Sequence, residues 1–225
     1  MIAAVIISAS RDFAYARHQK EVSMKVSKLQ SAENRQGILD AAARLYRAHG
    51  LSGVGVADIT RDAGLTHGGL YRHFENKDAL VREACARAFD WSIAPLDALA
   101  CDPGSATEGL AARVTSYLSA QHRDHPGEGC PAAALAVDAA RAGGELSEVF
   151  AQGIERNFER FARLIEGLEP GSEPSAEGRA RAMHMLATMV GGLVLARATA
   201  AGRPALSDEI LATLREHLIG EQPEP

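Results

Sequence analysis

Residues 63–80, AGLTHGGLYRHFENKDAL, constrain this chain more than any other stretch. Gly64 and Leu65 form a tight turn. Thr66 can cap a very short helix by accepting a backbone N–H, and Asn76 caps the start of a longer one. Leu70 and Phe74 are four apart and share the inner face, where Leu65 joins them. His67, Gly68, Tyr71, Arg72 and His73 lie on or near the outer surface. Lys77 stands at the positive end of the next helix, an arrangement that suits a phosphate. A short helix with polar tips, small residues and an adjoining anion site has what a major-groove reader needs.

The residues upstream extend the same motif. Val56 to Ala63 reads as a short helix with Val56, Ile59 and Ala63 inward. Two short helices joined by a glycine-containing turn make a helix-turn-helix. Before it, Ser27-x-x-Gln30 is a capping box. It opens a helix ending at Gly50, with Ile38, Ala42, Leu45, Tyr46 and His49 on its inner stripe. Lys25, Lys28 and Arg35 lie at the N-terminal end of that helix, within reach of phosphates. Gly53 and Gly55 give a G-x-G without a third glycine or a preceding strand, so the loop is a connection and not a dinucleotide site.

The net charge of −5 is unfavourable for a nucleic-acid binder until it is divided along the chain. Residues 24–80 carry eight basic and six acidic groups, and residues 81–225 carry thirteen and twenty-one. A mildly basic N-terminal part therefore precedes an acidic remainder, and DNA affinity depends on where the cations sit. Three widely spaced cysteines, Cys85, Cys101 and Cys130, argue against a disulfide framework and for a reducing cytoplasm. No apolar stretch is expected to reach membrane-spanning length.

The run NRQGILDAAARLYRAHGLSGVGVADITRDAGLTHGGLYRHFENKDAL resembles the N-terminal domain of the TetR (tetracycline repressor-like) family of transcriptional regulators. The matching features are Arg35 with the ILDAA run, Val56-Ala57-Asp58-Ile59, Ala63-Gly64-Leu65, Gly69-Leu70-Tyr71-x-x-Phe74 and Lys77-Asp78-x-Leu80. Val56 departs from the pattern, since the family often has a phosphate-contacting threonine there. The resemblance implies that Thr66, His67 and Gly68 read bases or the adjacent backbone. It implies that Tyr71 and His73 touch phosphate or bases, and that Lys77 binds phosphate. Arg35 and Arg72 complete the expected DNA-binding set.

Downstream, the pattern stays helical. A fourth helix runs from Lys77 to about Leu99, with Val81, Ala84, Cys85, Ala88 and Trp91 on its apolar side, and Pro95 bends or interrupts it. Ser105-x-x-Glu108 is a second capping box, and Leu110, Val114, Tyr117 and Leu118 trace the following stripe. The stripe breaks at HRDHPGEGCP. A helix then runs from Cys130-Pro131 to Ala142, followed by one carrying Leu146, Phe150, Ile154, Phe158, Phe161, Ile165 and Leu168. A methionine-rich helix spans Gly178 to Thr199, and Ser207 caps the last.

The resulting expectation is an all-α chain of about nine helices. Residues 1–23 form a flexible extension, with Met24 a plausible alternative start. Residues 24–76 form the helix-turn-helix DNA-binding domain. Residues 77–220 form a helical ligand-binding and dimerisation domain, and 221–225 a tail. By resemblance, the last two helices make a four-helix interface with a second copy, through Leu186, Met189, Leu193, Leu211, Leu214 and Leu218. Candidate effector-pocket residues are Phe89, Trp91, Tyr117, Cys130, Phe150, Phe158 and Met183.

The expected function is a sequence-specific, cytoplasmic transcriptional regulator. It is read as a homodimeric repressor on a palindromic double-stranded operator, released by a small-molecule effector. No cofactor or metal is expected: His122-x-x-His125 with Cys130 matches no strong zinc spacing. No H-E-x-x-H, P-loop or nucleophile elbow points to an enzyme. Two other readings stay open: a thiol-based oxidant or electrophile sensor through Cys130, at a helix N-terminus, and a helical interaction protein that does not bind DNA.

Overall fold

The structure, a computed structural model, describes residues 28–99, 106–169 and 171–220. The expected N-terminal extension, the Ser27 and Ser105 caps, Cys101 and the C-terminal tail lie outside the described residues. Among the described residues the chain is all helical: α1 (28–49), α2 (Val56–Asp62), α3 (His67–Leu70), α4 (Lys77–Leu99), α5 (Ala106–Tyr117), α6 (Ala120–Asp124), α7 (Pro131–Ala142), α8 (Gly144–Glu166), α9 (Ala176–Ala200) and α10 (Pro204–Gly220). A 3-10 turn, Pro126–Glu128, separates α6 from α7. The additional helix relative to expectation is α6, hidden in the polar HRDHPGEGCP stretch. Its N-cap is Ser119, whose hydroxyl accepts the His122 N–H at 3.2 Å.

The head of the molecule is α1 to α3. The turn between α2 and α3 closes as a Schellman motif: Leu65 N–H donates to Thr60 O at 2.8 Å and Gly64 N–H to Arg61 O at 3.2 Å. Gly64 sits at φ +67°, where a side chain is disfavoured, so this glycine sets the angle of the helix pair. Ile59, Leu70 and Phe74 are buried and Leu65 packs on them at the edge. On α1, Ile38, Ala42 and Tyr46 are buried as expected, but His49 is exposed, because the helix end projects past its neighbours. Leu39, Ala43 and Arg47 are buried as well, since α1 packs on more than one side.

The body is built on α4, which packs along α8, and on α9, which lies against α8 and α10. Phe89 of α4 is fully buried, edge-on to Phe150 with ring centroids 5.1 Å apart. Its ring lies against Gly153 of α8 so closely that a Cβ there would overlap it. α4 continues as helix through Pro95 to Leu99 without the interruption that proline allowed.

Two boundaries differ from expectation at the C-terminal end. Ser175 caps α9, so that helix begins at Ala176, and α10 begins at Pro204. Ser207 is no cap: it is fully buried inside α10, and its hydroxyl donates to Ala196 O at 2.8 Å. By length and composition α9 could cross a bilayer, against the expectation that no stretch reaches that size. Its Ala182, Met185, Leu186, Met189, Leu193 and Ala196 are instead packed in the core.

Candidate nucleic-acid interface and inner cavity

The helix-turn-helix presents Thr66, Gly68, Tyr71 and Arg72 as exposed residues, with Tyr71 52% exposed and His73 half-buried. A Cβ added to Gly68 would meet nothing within 4 Å, so nothing inside the fold requires that position to be bare. Thr66 precedes α3 with extended backbone, but its side chain makes no capping bond, which corrects the expected role. The expected cap on α4 is present: Ala79 N–H donates to Asn76 Oδ1 at 2.8 Å. Next to it, Lys77 is exposed and its Nζ donates to Val54 O at 3.2 Å, tying the α1–α2 loop to the start of α4.

On α2, Gly55 N–H donates to Asp58 Oδ2 at 3.0 Å, and Arg61 pairs with the same carboxylate. These two bonds, the backbone one first, hold the Asp58 carboxyl below its ordinary range. Arg35 departs from its expected use. Its guanidinium pairs with Glu83 on α4 and lies 4.7 Å from the Phe74 ring centroid. Where α1 crosses α4, this side chain is already engaged in holding the two helices together.

The expected pocket residues separate into three groups. Trp91, Tyr117 and Cys130 line one cavity of about 280 Å³. Phe89 and Phe150 pair with each other in the core. Phe158 packs near Arg179, 5.9 Å from ring to guanidinium, and Met183 is exposed on α9. None of these last four lines that cavity. Its other walls are polar: Ser92 from α4, Arg113 and Ser116 from α5, and Ser119, His122 and Glu128 from the α6 region. Apolar periodicity does not mark these residues, because the cavity is lined mainly by side chains that interrupt it.

His122 is the most constrained of them. Its Nδ1 faces Tyr117 O at 2.8 Å, and its Nε2 accepts the Cys130 N–H at 3.0 Å. Only the neutral ring with its proton on Nδ1 satisfies both bonds. Burial is the largest cause of its pKa falling to about 4; nearby Arg197, Arg113 and Arg47 lower it further, against the bond to Tyr117 O. Both ring nitrogens of His122 are therefore engaged in hydrogen bonds to the backbone. The unfolded chain binds more protons between the ordinary value and the depressed one, so stability is lost as pH falls through that window. The loss is expected to approach roughly 3 kcal/mol between about pH 6.5 and pH 4. Urea unfolding of the wild type and His122→Gln across that window isolates it: the variant should lose less.

Arginines fix this region to its surroundings. Arg197 of α9 donates through Nη2 to His122 O at 2.7 Å and through Nε to Arg123 O at 3.1 Å. Arg123 reaches α10, donating to Ser207 Oγ at 3.0 Å and pairing with Asp208 at 2.6 Å. From the head, Arg47 is only 4% exposed and donates through Nη1 to Gly129 O at 2.8 Å. The backbone beside Cys130, which lines the cavity, is therefore hydrogen-bonded to α1.

Most of the expected dimer residues lie inside a single chain. Leu186, Met189, Leu193, Leu211 and Leu218 are at most 4% exposed within a single chain, and only Leu214 is half-buried. Their side chains fill the contact among α8, α9 and α10. The outer side of α9 and α10 instead exposes Met183, Val194, Leu195 and Leu206, with Ala187 and Ala198 between them.

Comparison with known proteins places this geometry. Residues 38–84 match the family described as "Bacterial regulatory proteins, tetR family". The HTH-type transcriptional repressor KstR2 of Mycolicibacterium smegmatis is 30% identical over 95 residues, 42% of this chain and 46% of that protein. The chain thus spans just under half the length of that relative. The HTH-type transcriptional repressor DhaR of Mycobacterium sp. (strain GP1) is 27% identical over 143 residues, 61% of this chain and 69% of that repressor. In fold, the chain resembles the reduced form of E. coli NemR, with a TM-score of 0.69 at 19% identity, covering 85% of this chain and 99% of that one. It also resembles a TetR-family regulator from Cytophaga hutchinsonii, with a TM-score of 0.65 at 23% identity over 87% and 98% of the two chains. The matched residues are the same head that carries the Schellman-closed turn and the capped start of α4, so the likeness to the tetR family of bacterial regulatory proteins rests on residues 38–84 and, over most of the chain, on the fold.

Proposed function

We propose that this chain is a sequence-specific DNA-binding transcriptional regulator acting in the cytoplasm, where bacterial DNA lies. It works as a homodimeric repressor on a palindromic operator and is released by a small-molecule effector. The observation that carries the reading is the exposed set Gly68, Tyr71 and Arg72, held between a glycine-closed turn and the capped end of α4 bearing Lys77. One four-residue helix reads too few base pairs for a unique site; two copies about a two-fold axis read a palindrome. The apolar outer side of α9 and α10, with Met183, Val194, Leu195 and Leu206, supports pairing there. The acidic composition beyond residue 80 keeps the remainder off the phosphates. Residues 24–76 serve as the reading domain and 77–220 as the regulatory one.

Selection from a randomised duplex pool tests this. A palindrome should be enriched, and its affinity should fall steeply with salt, by close to one power of concentration per phosphate neutralised. Enrichment of no sequence by the reduced, ligand-free protein would exclude the regulator reading.

A further inference from the structure

The cavity beneath α4 contains a cation that no carboxylate among the described residues neutralises. Arg113 of α5 lines it; the Nε atom is buried with no hydrogen-bond partner, and Nη2 makes one long bond, 3.3 Å, to Ser92 O. Among the described residues no carboxylate pairs with Arg113, Arg47 or Arg197, although these three guanidiniums all lie close enough to His122 to act on its charge. A guanidinium stays ionised in a protein, so a buried one with unmet donors is costly unless an anion joins it. A second group points the same way: Tyr117 is 3% exposed and lines the same cavity, and its buried hydroxyl has only the weakly hydrogen-bonding thiol of Cys130 beside it. The one acidic side chain in the lining among the described residues, Glu128, is exposed. Ser92, Ser116 and Ser119 add hydroxyls, and Trp91 supplies an aromatic wall.

We propose that this cavity is the effector site and that its ligand is a small organic monocarboxylate. The acid group lies on Arg113 and the Tyr117 hydroxyl, and the apolar body lies against Trp91. This rests on the regulator reading only for the word effector; the binding chemistry stands on the cavity itself. A carboxylate fits better than a bare inorganic anion because the lining also includes the aromatic rings of Trp91 and Tyr117. The planar fork of Arg113 matches two carboxylate oxygens. A volume of about 280 Å³ places the ligand at the small end of the range for bound molecules.

Trp91 is the only tryptophan in the chain, so its emission reports occupancy directly. The full-length protein is titrated with benzoate, phenylacetate and hexanoate, each beside its primary amide. The acids should bind at least roughly tenfold more tightly than the amides, because the amide leaves the guanidinium unneutralised. Arg113→Met should abolish the preference for acid. It should also leave the melting temperature of the ligand-free protein unchanged or raised, as expected when an unpaired half-buried charge is replaced by an apolar side chain of similar length. Equal binding of acids and amides overturns the proposal, as does failure of all three acids to bind. A lower melting temperature in Arg113→Met with acid preference intact overturns it too. None of these readings uses DNA. An acid that binds but does not release the selected duplex would refute the effector role and leave the binding site standing.

Discussion

Replacing Tyr71 and Lys77 together by alanine is expected to reduce affinity for the selected duplex by roughly 100-fold or more, at moderate salt. The two residues act differently. Tyr71 is 52% exposed directly after α3, where its ring and hydroxyl can reach the DNA. Lys77 contributes a positive charge at the N-terminus of α4, where the helix dipole and the free backbone N–H groups also favour a phosphate. Its removal alone should lower the salt slope by close to 1, whereas removal of Tyr71 should weaken binding with the slope nearly unchanged. Fluorescence anisotropy across a salt series separates these effects. Both sites are exposed, so far-UV circular dichroism and the mass of the protein in solution should match the wild type. One structural cost is built in: Lys77 also donates to Val54 O, which exposes the α1–α2 loop to a small loss on truncation. If the double variant bound the duplex normally, the recognition surface would have to lie elsewhere on the head.

The largest stability effect is expected at Phe89. Phe89→Ala removes a fully buried ring from the α4–α8 contact and should cost about 3–5 kcal/mol, read from urea denaturation. Gly153 makes this a sharper experiment. Alanine at 153 runs into the Phe89 ring and should destabilise by about 1–3 kcal/mol in the wild type. With Phe89 already truncated the same change fills part of the void and recovers helix propensity, so it should become neutral or stabilising. The sign reversal between backgrounds is the signature of direct contact, and additive behaviour would show that the two do not share a site.

The head was legible in the sequence because its determinants are local. Gly64 after α2, Asn76 before α4, and the inward spacing of Ile59, Leu70 and Phe74 each act within a few residues of where they stand. The body was legible as helices but not as faces. α9 is apolar on nearly every side, so Leu186, Met189 and Leu193, chosen for an interface, could not be told from Met183, Val194 and Leu195, which are the ones left exposed. The cavity was half seen. Trp91, Tyr117 and Cys130 were chosen as bulky or reactive residues near the right helices. Arg113 and His122 come from α5 and α6, and their proximity depends on how α6 is bound to α9 and α10 through Arg197 and Arg123. That tertiary tie leaves no mark in local periodicity, and Ser119, the cap that starts α6, was the one nearby signal.

The buried bond from Arg47 to Gly129 gives the two ends of the molecule a shared backbone position. Gly129 and Cys130 line the cavity, and α1 carries the head, so a ligand that shifts this turn also shifts α1. Thermodynamic linkage makes that exchange symmetrical: whatever factor the ligand takes from DNA affinity, DNA takes from ligand affinity. On the proposed function, the operator is itself an antagonist of the effector. A cell carrying many copies of the target sequence would need more effector to reach the same fractional release, with no change in the protein.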